Sequence, residues 1–88
     1  MTILDYATAG GKNLITEYLD KLPKNERAVG YRIRDRIETY GIVGLKSLRT
    51  RQLKDKLWEI KFSDNRIMYV LQDTDTIYFL HACKKQKK

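Results

Sequence analysis

Residues 57–83 read "LWEIKFSDNRIMYVLQDTDTIYFLHAC", and this stretch decides the fold. In "LWEIKF", Trp58, Ile60 and Phe62 alternate with Leu57, Glu59 and Lys61, the period-two pattern of a strand with one face on a core and the other on solvent or a ligand. "SDN" is a turn signal, "RIMYVLQ" a second strand, "DTD" another turn and "TIYFLHAC" a third strand. Strands joined by such three-residue loops predict an antiparallel meander. The third strand is apolar on both faces, with Tyr78 and Leu80 on one and Ile77 and Phe79 on the other, which predicts a place in the sheet interior.

Upstream of the meander the period changes. Leu14, Ile15, Tyr18, Leu19 and Leu22 form the stripe of an amphipathic helix over residues 12–21, and Pro23 stops it or opens the next one. Val29, Ile33, Ile37 and Tyr40, with Glu26 in the first turn and Gly41 just past the end, predict a second helix of about four turns. The two make a helical hairpin. "TILDYA", rich in β-formers and followed by the turn signal "TAGG", predicts a first strand over residues 2–6. The order β-α-α-β-β-β predicts an α+β fold. An N-terminal strand and a two-helix hairpin pack on one face of a small antiparallel sheet that ends in the three-strand meander.

The totals bound the function. With 88 residues the chain is read as one domain, 1–88, and a domain of this size buries only roughly 60–65% of its unfolded surface. Lys and Arg number 18 against 11 Asp and Glu, a net charge of +7. The excess is uneven: residues 1–45 hold seven basic and six acidic side chains, residues 46–88 eleven and five. A positive field concentrated in one half attracts polyanions, nucleic acid first and an acidic protein partner second. No basic amphipathic helix stands out to suggest a membrane surface, and no stretch approaches the ~20 apolar residues of a membrane span. The single cysteine, Cys83, offers no intrachain disulfide and too few thiols for the usual zinc sites. The N-terminus has no apolar leader segment. These features together point to a cytoplasmic protein without metal or small-molecule cofactor. No internal repeat occurs, and the one low-complexity segment is the terminal "KKQKK".

No paired carboxylates at catalytic spacing, no Ser-His-Asp set, no P-loop and no HExxH motif occur. What remains is a basic constellation. Lys54 and Lys56 stand just before the first meander strand, Lys61 on its polar face, Arg66 at the start of the second, and His81 with Lys84 and Lys85 at the end of the third. Any one of these lysines alone is an ordinary solvated charge. The meander nevertheless brings the end of one strand against the start of the next, so the group as a whole faces a polyanion. Glu59, beside Lys61 and Arg66, is read as an ion-pair partner that fixes those cations rather than as a base. Trp58 and Tyr78 are read as core, and Cys83 as a small buried hydrophobe. Tyr69 offers a stacking ring or proton donor but sits in a strand position of half-buried core.

"LKDKLWEIKF", "NRIMYVL" and "IYFLHACKK", with "YLDKLPKNERA" in the hairpin between strands, resemble the RelE/HigB-like toxins of bacterial type II toxin-antitoxin systems, especially the phage-derived RelE-like group of the RelE/ParE superfamily. In that group a Leu-Trp-Glu strand, an Arg-bearing strand and a His-x-x-Lys-Lys ending follow in this order. The resemblance implies a microbial-RNase-like fold and an mRNA interferase acting on ribosome-bound message, neutralised by a cognate antitoxin. It implies a catalytic set drawn from Arg66, His81, Lys54, Lys61 and Lys84, and RNA contacts from Arg49, Arg51, Lys56, Lys85, Lys87 and Lys88. Some members of the wider superfamily poison DNA gyrase instead, so a non-catalytic basic module, gyrase-directed or simply RNA-binding, is the competing reading.

Cleavage by 2′-OH attack on the adjacent phosphate needs a group to take the 2′ proton, a cation on the phosphorane oxygens and a donor for the leaving 5′ oxygen; no metal is obligatory. His81 has a side chain whose ordinary pKa suits proton transfer near neutrality, and a lysine crowded by other cations is shifted toward that range. Arg66 suits the phosphorane, because its planar fork stays charged and meets phosphate oxygens in pairs. The division of base and acid among Lys54, Lys56 and His81 stays open at the level of sequence.

Overall fold

The computed structural model describes residues 1–85 of the chain. Its elements follow as β1 (Thr2–Asp5), α1 (Leu14–Asp20), α2 (Lys24–Lys46), β2 (Arg49–Lys54), β3 (Leu57–Phe62), β4 (Asn65–Asp73) and β5 (Thr76–Lys84). The strands form one five-stranded sheet in the order β1-β5-β4-β3-β2. The meander pairs antiparallel as its alternation requires, and β5, apolar on both faces, lies inside the sheet. The sheet as a whole is mixed, because β1 pairs parallel with β5. The α+β class expected from sequence holds.

The helices cover one face only. Ile15 and Leu19 of α1 and Ile33, Ile37 and Leu45 of α2 meet Ile60, Phe62, Ile67, Tyr69, Ile77 and Phe79 of the sheet in a single buried cluster. Two polar ties fix the layer. Asp5 accepts from Arg34 Nη1 and Nη2 at 2.7 and 2.9 Å and from Asn13 Nδ2 at 3.0 Å, while the Arg34 guanidinium lies 5.5 Å from the centre of the Phe79 ring. Asn65 is buried; it accepts from the Tyr18 hydroxyl at 2.6 Å and donates to Glu26 at 2.8 Å, joining α1 and α2 to the start of β4. Because Asn13 caps α1 by accepting from the backbone N–H groups of Ile15 and Thr16 at 3.0 Å each, the helix begins at Leu14 rather than at residue 12.

Three further details differ from the sequence reading. The meander loops have two residues, not three, since Phe62 pairs with Asn65 and Asp73 with Thr76; burial of Asn65 draws it into the strand. A further strand, β2, joins the sheet at an edge. Its sequence "RTRQLK" is largely polar, and an edge strand needs only half the apolar pattern of a central one. Finally, α2 breaks at Gly41 (φ 61°, ψ −136°), where the helix was expected to end, and the chain then makes a further helical turn to Lys46.

That reversal depends on a second glycine. A Cβ on Gly44 would lie 2.5 Å from the carbonyl oxygen of Arg36, a backbone atom that cannot move aside without disturbing α2. Gly44→Ala should therefore destabilise the fold by about 1–3 kcal/mol, the cost of an overpacked core site, and thermal unfolding should show a lowered midpoint. An unchanged midpoint would mean that the turn after Gly41 is free to shift.

Candidate nucleic-acid interface

Partners across strands share a face, so the register builds the open side of the sheet directly. Arg49 pairs with Lys61, Lys61 with Arg66 and Arg66 with Cys83, giving one row. Arg51 pairs with Glu59, Glu59 with Met68 and Met68 with His81, giving the next. Lys54 pairs with Leu57, further along the same face. His81 is thus a diagonal neighbour of Arg66, about 7–8 Å away at the level of the backbone.

At the centre sits Glu59, with 0% of its side chain exposed although no helix covers it. Its Oε1 lies 3.1 Å from Arg51 Nη2 and 3.9 Å from Lys61 Nζ, and its Oε2 accepts from Arg66 Nη1 at 3.4 Å. The approach of Arg51 makes an ion pair without hydrogen-bond alignment, so among the described residues Oε1 lacks a hydrogen-bond donor and the buried Arg66 Nε an acceptor. The cations themselves remain partly open, with side-chain exposures of 53% for Arg51, 28% for Lys61 and 21% for Arg66. Each can therefore pair inward and still meet a ligand. Partial burial, then Arg51, with Arg66 and Lys85 adding to it, push the Lys61 ammonium below the ordinary lysine range, while Glu59 pulls the other way.

The structure sorts the residues singled out in the sequence. Arg66, Lys61, Arg51, Arg49 and His81 share the two rows. Lys54 and Lys56 do not join them: the β2–β3 turn carries both to the far end of β3, and Lys54 is separated from the Lys61 row by roughly 13 Å of strand. Lys84 pairs with Asn65 and so leaves β5 toward the helix layer. Lys85 is the one near enough to act on Lys61, and its backbone N–H donates to Asp64 O at 2.6 Å. Lys87 and Lys88 lie outside the described residues. Tyr69 is core: it is 3% exposed, and burial raises its pKa to about 12 against a hydrogen bond with Thr50. Trp58 packs half-buried against the core. Cys83 is not fully buried; it stands beside Arg66. Among the described residues no cluster of His, Cys, Asp and Glu is placed to hold a metal ion, and no helix is long and apolar enough to cross a membrane. Sequence reasoning missed the reach of Glu59 to Arg51, because β2 was not foreseen.

Residues 17–88 match the model of the family described as phage derived protein Gp49-like. The chain belongs to that family. Gp49-like proteins are a RelE/ParE-like toxin family associated with toxin-antitoxin systems, and membership implies a cognate antitoxin as partner. No curated protein matches the chain.

Glu59 is the test of how this Gp49-like face is held. Glu59→Ala leaves Arg51, Lys61 and Arg66 to repel one another and should destabilise the protein by roughly 1–3 kcal/mol. Salt should recover part of the loss by screening that repulsion. Equilibrium denaturation at low and high salt distinguishes this from a plain cavity, for which the loss would not fall with salt.

Proposed function

We propose that this Gp49-like protein is the toxin of a type II toxin-antitoxin system and a metal-independent mRNA endoribonuclease that acts in the cytoplasm on ribosome-bound message. One observation carries the reading: Lys61, with a depressed pKa, and Arg66 stand side by side on an open sheet face with His81 diagonal to Arg66 on the next strand. Lys61 takes the proton of the 2′-OH as that oxygen attacks the adjacent phosphorus. The Arg66 fork, steadied by Glu59, holds the phosphorane oxygens as negative charge grows on them. His81 gives a proton to the departing 5′ oxygen, and the products are a 2′,3′-cyclic phosphate and a free 5′-OH. β3 and β5 flank β4, about 10 Å apart, so the base and the acid lie on opposite sides of Arg66. Arg49, Arg51 and Lys85 contact neighbouring phosphates, with Lys54 and Lys56 extending the track at the far end of the face. Such contacts supply affinity and salt dependence but little sequence choice. An acidic or amphipathic antitoxin segment complements the +7 charge.

A translating extract separates this from the non-catalytic alternatives. The expected result is message cut only while ribosomes engage it; a block in translation with intact message would leave the gyrase-poison or RNA-binding reading instead. In single-turnover cleavage at saturating ribosome concentration, Arg66→Ala and His81→Ala should each slow the reaction by around tenfold or more.

The pH dependence follows from Lys61. A base must be neutral to accept the 2′ proton and an acid must hold a proton to give one, so the rate should pass through a maximum with pH, and the limb that reports Lys61 should lie at lower pH than an unperturbed lysine would give. Lys61→Arg, which stays charged throughout, should remove that limb. Glu59→Gln withdraws the one charge that raises the Lys61 pKa and should move that limb to lower pH. A profile unchanged in both variants would take the base role away from Lys61.

A further inference from the structure

β1 ends at Asp5, and the last bond on that side of β5 runs from the Tyr6 N–H to the Phe79 carbonyl at 2.8 Å. Among the described residues, no strand lies beside the outer edge of β5 beyond Phe79. Helix α1 lies there instead, and between them opens a cleft of about 220 Å3 lined by Leu14, Glu17, Tyr18, Lys21, His81 and Ala82. The register shift in β5, where Met68 pairs with His81 but Tyr69 with Phe79, leaves Leu80 as an extra residue. A bulge of this kind re-aims the side chains next to it, and it lets His81 belong both to the row of Met68 and to the wall of the cleft.

The lining has a particular chemistry. Leu14 and Ala82 are apolar, and the Tyr18 ring is held in place because its hydroxyl donates to buried Asn65. Burial first, then Cys83 and Glu26, raise the Tyr18 pKa, so that hydroxyl keeps its proton. On the same face of α1 as Leu14 and Tyr18, Glu17 and Lys21 present an acceptor and a donor side by side, Lys21 Nζ to Glu17 Oε1 being 3.0 Å, with Lys12 steadying the second carboxylate oxygen at 3.2 Å. A paired helix position of this sort contributes only tenths of a kcal/mol to a helix, but this pair lines a cleft that shares a wall with His81.

We infer that the cleft receives one splayed nucleobase of the RNA, and that Glu17 and Lys21 select a base carrying an amino donor beside a carbonyl acceptor, guanine or cytosine. Unstacked bases of single-stranded RNA are recognised in this way, by an aromatic or apolar wall and by hydrogen bonds to their edges. Glu17 accepts from the amino group and Lys21 donates to the carbonyl oxygen. Adenine lacks the carbonyl and uracil the amino group, so each leaves one member of the pair without its bond. The base anchored here sets which phosphate lies between His81 and Arg66. This subsite rests on the ribonuclease reading, to which it adds the origin of sequence choice.

Two measurements test it. The protein is titrated with the four nucleoside 5′-monophosphates while backbone amide resonances are followed by NMR. GMP, CMP or both should shift Glu17, Tyr18, Lys21 and Ala82, with AMP and UMP about tenfold weaker or more. No shift at millimolar nucleotide, shifts elsewhere, or equal response to all four would overturn the subsite. In parallel, cut sites on ribosome-bound message are mapped for the wild type, Glu17→Gln and Lys21→Met. The wild type should favour G or C beside the cut and both variants should lose that preference. If the wild type cuts and both variants keep its preference, the subsite is wrong and the ribonuclease reading stands. If the wild type does not cut but the nucleotide shifts are selective, the ribonuclease reading fails and the cleft stands as a base-binding site.

Discussion

Helices cover one face of the sheet, and the uncovered face gathers Arg49, Arg51, Lys61 and Arg66 within a few strand spacings of one another. Such a concentration of like charge opposes the compact state. Glu59 makes it tenable. Its carboxylate is buried beneath the cations it neutralises, and each of them spans the distance to it with the apolar part of its own side chain. The rest of the open face is arranged around that contact: β2 is held at the edge with Arg51 reaching inward, and β4 presents Arg66 at a fixed place beside Lys61.

The arrangement leaves charge unbalanced by design of the sequence. Among the described residues, three cations share one carboxylate here, a buried carboxylate oxygen lacks a hydrogen-bond donor, and a buried Arg66 nitrogen lacks an acceptor. A fold under selection for stability alone would have little use for this. Partial burial and then the crowding of Arg51, Arg66 and Lys85 lower the proton affinity of Lys61, against the pull of Glu59. That membership of a toxin family should coincide with such a face is consistent with a protein whose partner must neutralise it.

The other half of the molecule works by fixing position. Asp5 and Asn65 are both hydrogen-bonded to helix side chains, so α1 is placed against the sheet through two separated points. This sets the width of the cleft beside His81. The break at Gly41 and the close approach at Gly44 turn the chain into β2, and without β2 there would be no Arg49 and no Arg51 on the face. Glycines far from the candidate chemistry therefore decide how many cations surround it.

The sequence by itself determined the elements and their class. Alternation in "LWEIKF" and "RIMYVLQ", the two-faced apolar run in "TIYFLHAC" and the helical stripes of Leu14 to Leu22 and Val29 to Tyr40 are local patterns, and local hydrophobic period is what secondary structure answers to. It also put Arg66, Lys61 and His81 on a short list, because their residue types limit the chemistry they can do. Only the tertiary structure decided which of them meet. β2 carries little apolar alternation, so its place at the edge follows from pairing with β3 and cannot be read from its own residues. Lys54 and Lys56 are close to Lys61 in the chain but lie at the other end of a strand, whereas Arg51 is close through register. Whether Lys84 or Lys85 approaches Lys61 turns on strand parity, which the extra residue at Leu80 reverses. The burial of Glu59 on an uncovered face is likewise a property of several strands at once, and no single segment contains it.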